Sequence, residues 1–424
     1  MRCSLVRKCG IEAGVVAYIE RATDRLIRDL LRELPALLLV GPRASGKTTT
    51  AMRHAATVVR LDHPGEAAAF AADPDAALRG LPEPVLLDEW QATPGVLGAV
   101  KRAVDTNSRP GRYLLTGSVH ADLEASTWPG TGRLVRVPMF GLSIAELQGR
   151  PQARPLIDRL LNGAPIDVPP GTPDLRGYVE LALQGGFPQA ALALTDRTRR
   201  LWLASYVEQL LTRDAQIVDG ARDPAKLRRF VEAYASSSAG AVADQTLLDA
   251  AGVNRKTAVA YEQLLITLWL VERVPPWTSN RLARLTHMPK RYLTEPALLA
   301  GILGVDSGAV VRDGDLLGRV LDTLVAAQLR AQLPIAEATT RLFHVRQEQG
   351  RREVDLVLEA GAGKVVAIEV KADSAPRPDA ARHLGWLRDR LGDRFIAGLV
   401  LHTGPRVFEL GDRLIAAPIS TLWT

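Results

Sequence analysis

The chain has 424 residues, of which 47% are hydrophobic and 24% charged, and it carries a formal net charge of +6. That length exceeds a single hydrophobic core, so two or three domains are expected, and the composition excludes disordered and fibrous classes. The positive balance leans toward an anionic partner such as nucleic acid, although an arginine-rich proteome accounts for it as well.

Cys3 and Cys9 stand away from any histidine cluster, which argues against a disulfide framework or a zinc site. Glu12 and Glu20 interrupt what would be the apolar region of a signal peptide behind Arg2, Arg7 and Lys8. No apolar run approaches the roughly 20 residues that span a bilayer. A cytoplasmic protein with no membrane partner is expected.

In chain order, Val15 to Leu34 has a helical apolar period, and Ala36 to Val40 reads as a buried strand. Further strands are expected at Thr57 to Leu61, Val85 to Leu87 and Tyr113 to Leu115, with helix after Thr48. Strands alternating with helices predict a parallel sheet covered on both faces, with ligands at the carboxyl ends of the strands. Prolines crowd residues 149–174, where a boundary is placed. Residues 175–275 read as almost wholly helical. A long helix from Asp315 to Gln332 then precedes strand candidates at Arg341 to Val345, Val354 to Leu358, Val365 to Val370, Phe395 to Leu401 and Arg406 to Leu410.

Gly41, Pro42, Arg43, Ala44, Ser45, Gly46, Lys47 and Thr48, followed by Thr49, spell a phosphate-binding loop directly after an apolar strand. Backbone N–H groups of such a loop and the start of the next helix surround phosphates. Lys47 is expected to reach the β- and γ-phosphates and Thr48 to meet Mg²⁺, which makes ATP and Mg²⁺ the expected cofactors. Val85 to Asp88 with Glu89 is an apolar strand ending in two carboxylates. Asp88 would hold Mg²⁺ and Glu89 would polarise the attacking water. Thr116 and Ser118 follow the next strand, where they would contact the γ-phosphate or that water; a tight turn at Gly117 accounts for them equally. Arg133 reads as an arginine finger or as an ordinary surface arginine.

These segments, with Leu142 to Leu147, Gly185 to Pro188, Arg213-Asp214 and Asn280 to Leu293, resemble the AAA-type ATPases of bacteria and archaea that carry a C-terminal domain of uncharacterised function. The resemblance runs from about residue 17 to 375. Two positions depart from it: Glu295 stands where an aspartate is usual and Asp322 where a glutamate is usual.

Leu247 to Thr257 reads as a helix, a glycine turn at Gly252 and a second helix running to Leu270, the spacing of a helix-turn-helix. Arg255, Lys256 and Thr257 open the second helix, and Arg281 and Arg284 would lie on a basic wing, all as DNA contacts. Packing against the ATPase core or assembly would use the same unit without DNA.

Val354 to Leu358 places Asp355 on one strand, and Val366 to Lys371 places Glu369 and Lys371 on one face of the next. Asp355 and Glu369 would share a divalent metal, Lys371 would activate water, and Asp322 on the preceding helix would complete the set. This resembles the restriction-endonuclease-like fold, whether cleaving or retained only for binding.

The expectation is therefore an α/β chain. A P-loop NTPase domain spans 1–148, a proline-rich linker and helical lid 149–220, a winged-helix region 221–300, and a restriction-endonuclease-like domain 301–424. Its function would be an ATPase switch coupled to DNA handling, or an ATP-binding scaffold for protein partners. DNA and further copies of the chain are admitted as partners.

Overall fold

A computed structural model describes residues 17–117, 131–215, 223–279, 284, 288–347 and 351–424. Strand β1 (Ala36–Val40) is buried along its whole length. Its side chains divide by alternation: Ala36, Leu38 and Val40 join one core with Val96 and Val100, while Leu37 and Leu39 join another with Ile27 and Ala51. Helix α1 (Ala22–Leu31) covers one face, α2 (Lys47–Met52) follows the loop, and α3 (Gly95–Thr106) covers the other face.

The sheet is completed by β2 (Thr57–Arg60), β3 (Val85–Asp88), β4 (Tyr113–Thr116) and β5 (Val135–Pro138), in the spatial order β2-β3-β4-β1-β5 with all neighbours parallel. Parallel pairing brings the carboxyl ends of β1, β3 and β4 to one edge, and Gly41, Asp88 and Thr116 meet there.

Helix α1 is shorter than the period predicts. The Asp24 carboxylate accepts the Arg21 backbone N–H at 2.7 Å and starts the helix at Ala22. β5 was not expected; two exposed residues open it, so it lacks a continuous apolar run.

Beyond the sheet, α4 (Asp196–Gln209) and α5 (Pro224–Ser236) precede α6 (Asp244–Ala251) and α7 (Arg255–Thr267), joined through left-handed Gly252. α7 ends earlier than Leu270 because Trp269 turns to φ 58°. β6 (Val271–Val274) and β7 (Lys290–Leu293) then pair as an antiparallel ribbon.

Helix α8 (Gly314–Gln332) leads into a six-stranded mixed sheet of β8 (Arg341–Gln347), β9 (Arg352–Glu359), β10 (Val365–Val370), β11 (Phe395–His402), β12 (Phe408–Gly411) and β13 (Leu414–Pro418). The order is β12-β13-β11-β10-β9-β8, with β10, β11 and β13 parallel to one another. The unexpected β13, short and ending in proline, lies between β11 and β12. α8 covers one face and α9 (Arg382–Leu391) the other.

The proline-rich stretch is packed rather than a bare linker, since Leu156 and Ile157 of a short helix are buried. One continuous core runs from Ile144 to Trp423 and joins this stretch, the helices, the ribbon and the second sheet. Among the described residues no helix is long and apolar enough to cross a membrane.

Arg291 on β7 ties the helix-turn-helix to the ribbon: Nε donates to Glu262 at 2.9 Å, Nη1 to the Val242 carbonyl at 2.9 Å, and the second terminal nitrogen to Asp244. Arg291 and Glu262 are both buried. Arg291→Met is expected to cost about 3 kcal/mol in urea unfolding, the lower end for a stranded buried charge because Arg273 still pairs with Glu262. Adding Glu262→Gln should restore part of that loss; an unchanged midpoint for Arg291→Met would show that the network carries no stability.

Candidate functional site

The phosphate loop is shaped by close backbone approach. A Cβ on Gly41 would lie 2.0 Å from the Met139 carbonyl oxygen, so the strand end at β5 leaves no room for a side chain. Ala44 and Gly46 both have positive φ, and Gly46 caps α2. Pro42 is buried, Arg43, Ala44 and Thr49 are exposed, and Ser45 is fully buried with its hydroxyl unpaired.

Lys47 is buried and its ammonium donates to the Gly41 carbonyl at 3.0 Å and the Pro42 carbonyl at 2.7 Å. Burial lowers its pKa to about 8, against the opposing pull of Glu89 and Asp88. The Thr48 hydroxyl donates to Asp88 Oδ1 at 2.7 Å, and the buried Thr116 hydroxyl donates to the same oxygen. Three expected residues therefore converge at the ends of β1, β3 and β4.

Glu89 adopts left-handed backbone, φ 51° and ψ 48°, immediately after β3. Its Oε2 accepts the Gln91 side-chain amide, and burial raises its pKa above the usual carboxylate range. A Cβ on Gly117 would stand 2.8 Å from the Trp90 indole nitrogen and 3.0 Å from Gln91 Oε1, so glycine is required for this residue pair to fold over the end of β4. Ser118 lies outside the described residues.

Arg133 is not at this edge. It pairs with Asp105 at 2.8 Å, and Val135 aligns with Leu37 near the amino end of β1, roughly 13 Å of strand from the loop. From there Arg133 does not reach the loop of its own chain.

Several contributors were missed. Buried Arg21 donates to the Ser45 carbonyl at 3.0 Å, to Phe140 and Gly141 carbonyls at 2.8 and 3.0 Å, and to Glu146 at 3.1 Å. The Tyr206 hydroxyl from α4 donates to the Arg43 carbonyl at 3.2 Å. Glu146 and Gln91 lie in segments that carry the family resemblance, and Ser143 with Glu146 forms a capping box; Arg21 and Tyr206 had no signal. Glu295 is half-buried against Gly185 and Gly141, and desolvation there pushes its pKa to about 7.

Of the expected DNA contacts, Arg255 and Lys256 are exposed at the start of α7, while the Thr257 N–H is taken up by the Asn254 cap at 2.9 Å. Arg284 requires a correction: its guanidinium is held by Glu359 at 2.6 and 2.9 Å and by the Thr278 carbonyl at 2.7 Å, over the Phe343 ring. It braces the second sheet and presents no free fork to a phosphate. Arg281 lies outside the described residues.

On the second sheet, Asp322, Asp355 and Glu369 gather as expected, but around a lysine. Fully buried Lys290, from β7, lies 2.5 Å from Asp322 Oδ2 and 3.0 Å from Asp355 Oδ1. Asp355 Oδ2 accepts the Val370 N–H at 2.9 Å, and Tyr292 donates to Asp322 Oδ1 at 3.0 Å. Burial raises Asp322 to about 6. Burial also works to raise Asp355, but Lys290 and the Val370 N–H hold it low. Lys371 donates to Glu369 Oε1 at 2.7 Å; Oε2 is buried and unpaired, and burial together with Asp355 pushes Glu369 to about 8. Among the described residues no three His, Cys, Asp or Glu side chains are grouped as a metal site. The expected sharing of a divalent ion by Asp355 and Glu369 does not fit this arrangement, because an ammonium already bridges the aspartates.

Glu369 and Lys371 border an open cleft also lined by Asp373, Arg377, Arg382 and His383.

Family models match three successive parts of the chain: an AAA domain over residues 33–148, a domain of unknown function (DUF8612) over 175–309, and a domain of unknown function (DUF4143) over 317–422. Uncharacterized proteins of Mycobacterium bovis and Mycobacterium tuberculosis are each 29% identical over 406 residues, which is 94% of this chain and 83% of each relative. Similar solved structures include the Walker-type ATPase of Pyrococcus abyssi, with TM-score 0.40 and 13% identity over 68% of this chain and 96% of that one. A RuvB mutant of Thermotoga maritima has TM-score 0.29 and 18% identity over 67% and 94%. With the loop geometry, the first match makes residues 33–148 an AAA-type P-loop domain. The two later matches assign no function.

The lowered Lys47 pKa gives nucleotide affinity a pH dependence. The bound phosphates favour the ammonium and raise its pKa, so binding takes up a proton above the free value. Affinity should be level below about pH 8 and fall up to about tenfold per unit above it. Calorimetry in buffers of different ionisation enthalpy would show that proton; its absence at pH 9 would mean that Lys47 titrates normally.

Proposed function

We propose that the chain binds and hydrolyses ATP with Mg²⁺ at its AAA-type domain, and that this acts as a switch on a DNA-handling unit formed by the later segments. The observation that carries the first half is the junction of Thr48, Asp88 and Thr116 beside Lys47 and Glu89. A hydroxyl and a carboxylate 2.7 Å apart at the loop's helix fit a hard cation. When bound, Mg²⁺ would neutralise charge on the β- and γ-phosphates.

The remaining chemistry belongs to the chain's own residues. Lys47 exchanges two loop carbonyls for phosphate oxygens, and the unpaired Ser45 hydroxyl supplies a further polar contact in the loop. Glu89 takes a proton from the attacking water as its oxygen meets the γ-phosphorus, and its raised pKa makes it a stronger base. The Gln91 amide on Oε2 orients the carboxylate and leaves it further acceptor sites for that proton. Thr116 stays on Asp88 and fixes its orientation. Arg133, remote from its own loop, fits a role in a homo-oligomer.

The DNA half rests on exposed Arg255 and Lys256 opening α7, where a helix start can meet a phosphate backbone. The placement of Asp322, Asp355, Glu369 and Lys371 agrees with a restriction-endonuclease-like core. A second reading, an ATP-binding scaffold with a silent nuclease-like unit, is favoured by Lys290 occupying the aspartates.

Lys47→Ala is expected to abolish ATP binding, since Arg43 stands too early in the loop to replace it; wild-type affinity in this variant would refute the site. Glu89→Gln should retain ATP with turnover lowered by ~10²-fold or more, while parallel loss of binding and turnover would make Glu89 structural.

Replacing Arg255 and Lys256 with alanine should weaken DNA binding and reduce the salt slope by about one unit per lost phosphate contact. Wild-type protein that binds no DNA at low salt would favour the scaffold.

A further inference from the structure

We propose that Gln91 is a further catalytic residue of ATP hydrolysis: its amide oxygen Oε1 holds the attacking water together with Glu89, while its amide nitrogen keeps Glu89 in place. The inference rests on the reading of the loop as an ATPase site, and it assigns to Gln91 a contact with the reacting water that neither the loop motif nor the two carboxylates at the end of β3 supply.

The backbone brings Gln91 to the site. Side chains two residues apart on a helical turn do not face each other, yet Gln91 Nε2 donates to Glu89 Oε2. The left-handed conformation of Glu89, φ 51° and ψ 48°, precedes a 3₁₀ turn over Trp90–Ala92 and folds the two side chains together. A non-glycine residue in that region is uncommon and persists where its surroundings demand it. A carboxylate only accepts hydrogen bonds, so the bond to Glu89 fixes which end of the amide is nitrogen and turns Oε1 elsewhere.

Gln91 Oε1 is buried and has no hydrogen-bond partner among the described residues. A buried acceptor left unpaired is costly, so such an atom calls for a water or a ligand. It lies 3.0 Å from the place a Cβ on Gly117 would take, at the end of β4 directly after Thr116, whose hydroxyl is on Asp88. The orphan oxygen therefore stands beside the carboxylate that takes the water's proton. The attacking water carries two O–H bonds. One proton passes to Glu89 as the bond to the γ-phosphorus forms and the bond to the β–γ bridging oxygen breaks, its electron pair leaving on ADP. The other proton stays on the new phosphate, and its O–H needs an acceptor that does not compete as a base. A neutral amide oxygen is such an acceptor. Two acceptors aim the water's lone pair at phosphorus, where one alone leaves it free to swing.

The test is steady-state hydrolysis of Mg-ATP by the full chain over a range of pH, with ATP affinity measured separately by calorimetry. Gln91→Met, close in volume, and Gln91→Asn, one methylene shorter, should bind ATP as wild type does and lower kcat by roughly 10- to 100-fold, the worth of one hydrogen bond to a group gaining charge. Burial raises the Glu89 pKa and the Gln91 amide opposes that rise, so its loss in Gln91→Met should move the acidic limb of the kcat profile to higher pH. Lys47, Arg43 and Asp88, the other charged groups that act on Glu89, are unchanged in that variant. Added to Glu89→Gln, Gln91→Met should cost much less than it does alone, because both residues act on one water. Turnover in Gln91→Met at or above the wild-type rate would overturn the proposal and leave the ATPase site standing. Parallel loss of ATP affinity and turnover in both variants would make Gln91 structural and overturn it as well. Wild-type protein that binds ATP without hydrolysing it would remove the proposal together with the hydrolysis reading.

Discussion

Asp88 receives two hydroxyls on one carboxylate oxygen, from Thr48 on the helix after the loop and from Thr116 at the end of β4. A buried carboxylate at a strand end needs such donors, because unpaired it would favour its neutral form. The parallel order of the sheet brings them together: β4 lies between β3 and β1, so the three elements end side by side. Lys47 is folded back on carbonyls of its own loop, and Glu89 is held on Gln91. Lys47 and Glu89 are thus satisfied by partners within the chain, so a ligand at this edge would exchange partners instead of meeting bare groups.

The loop is also anchored to the rest of the chain. Arg21 spreads its donors over Ser45, Phe140, Gly141 and Glu146, so one guanidinium spans the loop and the segment that follows β5. That segment is met from the far side by α8, whose Gln328 accepts the Ile144 N–H at 2.9 Å and whose Arg330 lies 5.7 Å from the Phe140 ring centre. The C-terminal end is fastened nearby, where Gln332 donates to the Leu422 carbonyl at 2.6 Å.

Much of the first domain was legible because its signals are local. The loop motif, the apolar strand before it and the carboxylates at the end of β3 lie in short continuous runs, and the parallel direction of the strands follows from alternation with helices. β5 was illegible because Arg136 interrupts its apolar run, and β13 because Pro418 at its end argues against an inner strand. In the second sheet, period-two spacing placed Glu369 and Lys371 together on one face, and they pair at 2.7 Å. The spacing could not reveal Lys290, whose partners are remote in sequence. Arg284 was misread for the same reason: a basic residue in an irregular stretch looks like a surface charge until its acid, Glu359, is brought to it. A Lys-Arg pair opening a four-residue strand was nevertheless a clue, since Lys290 and Arg291 sit where a buried ribbon would leave them inside. Buried cations demand acids from elsewhere.

Helix α8 gives the two charged centres a common support. Asp322 binds Lys290 on one stretch of the helix, and Gln328 and Arg330 reach the segment behind the phosphate loop about two turns later, roughly 10 Å along the axis. Arg330 also donates to the Thr294 carbonyl at 2.8 Å, just beyond β7, and pairs with Glu272 on β6. The ribbon that carries Lys290 is therefore held by the same helix that touches Phe140 and Ile144. Such contiguity is a route for coupling only if the Lys290 bridge has two arrangements of similar energy. In this structure the bridge has one arrangement, with Lys290 held on Asp322 and Asp355.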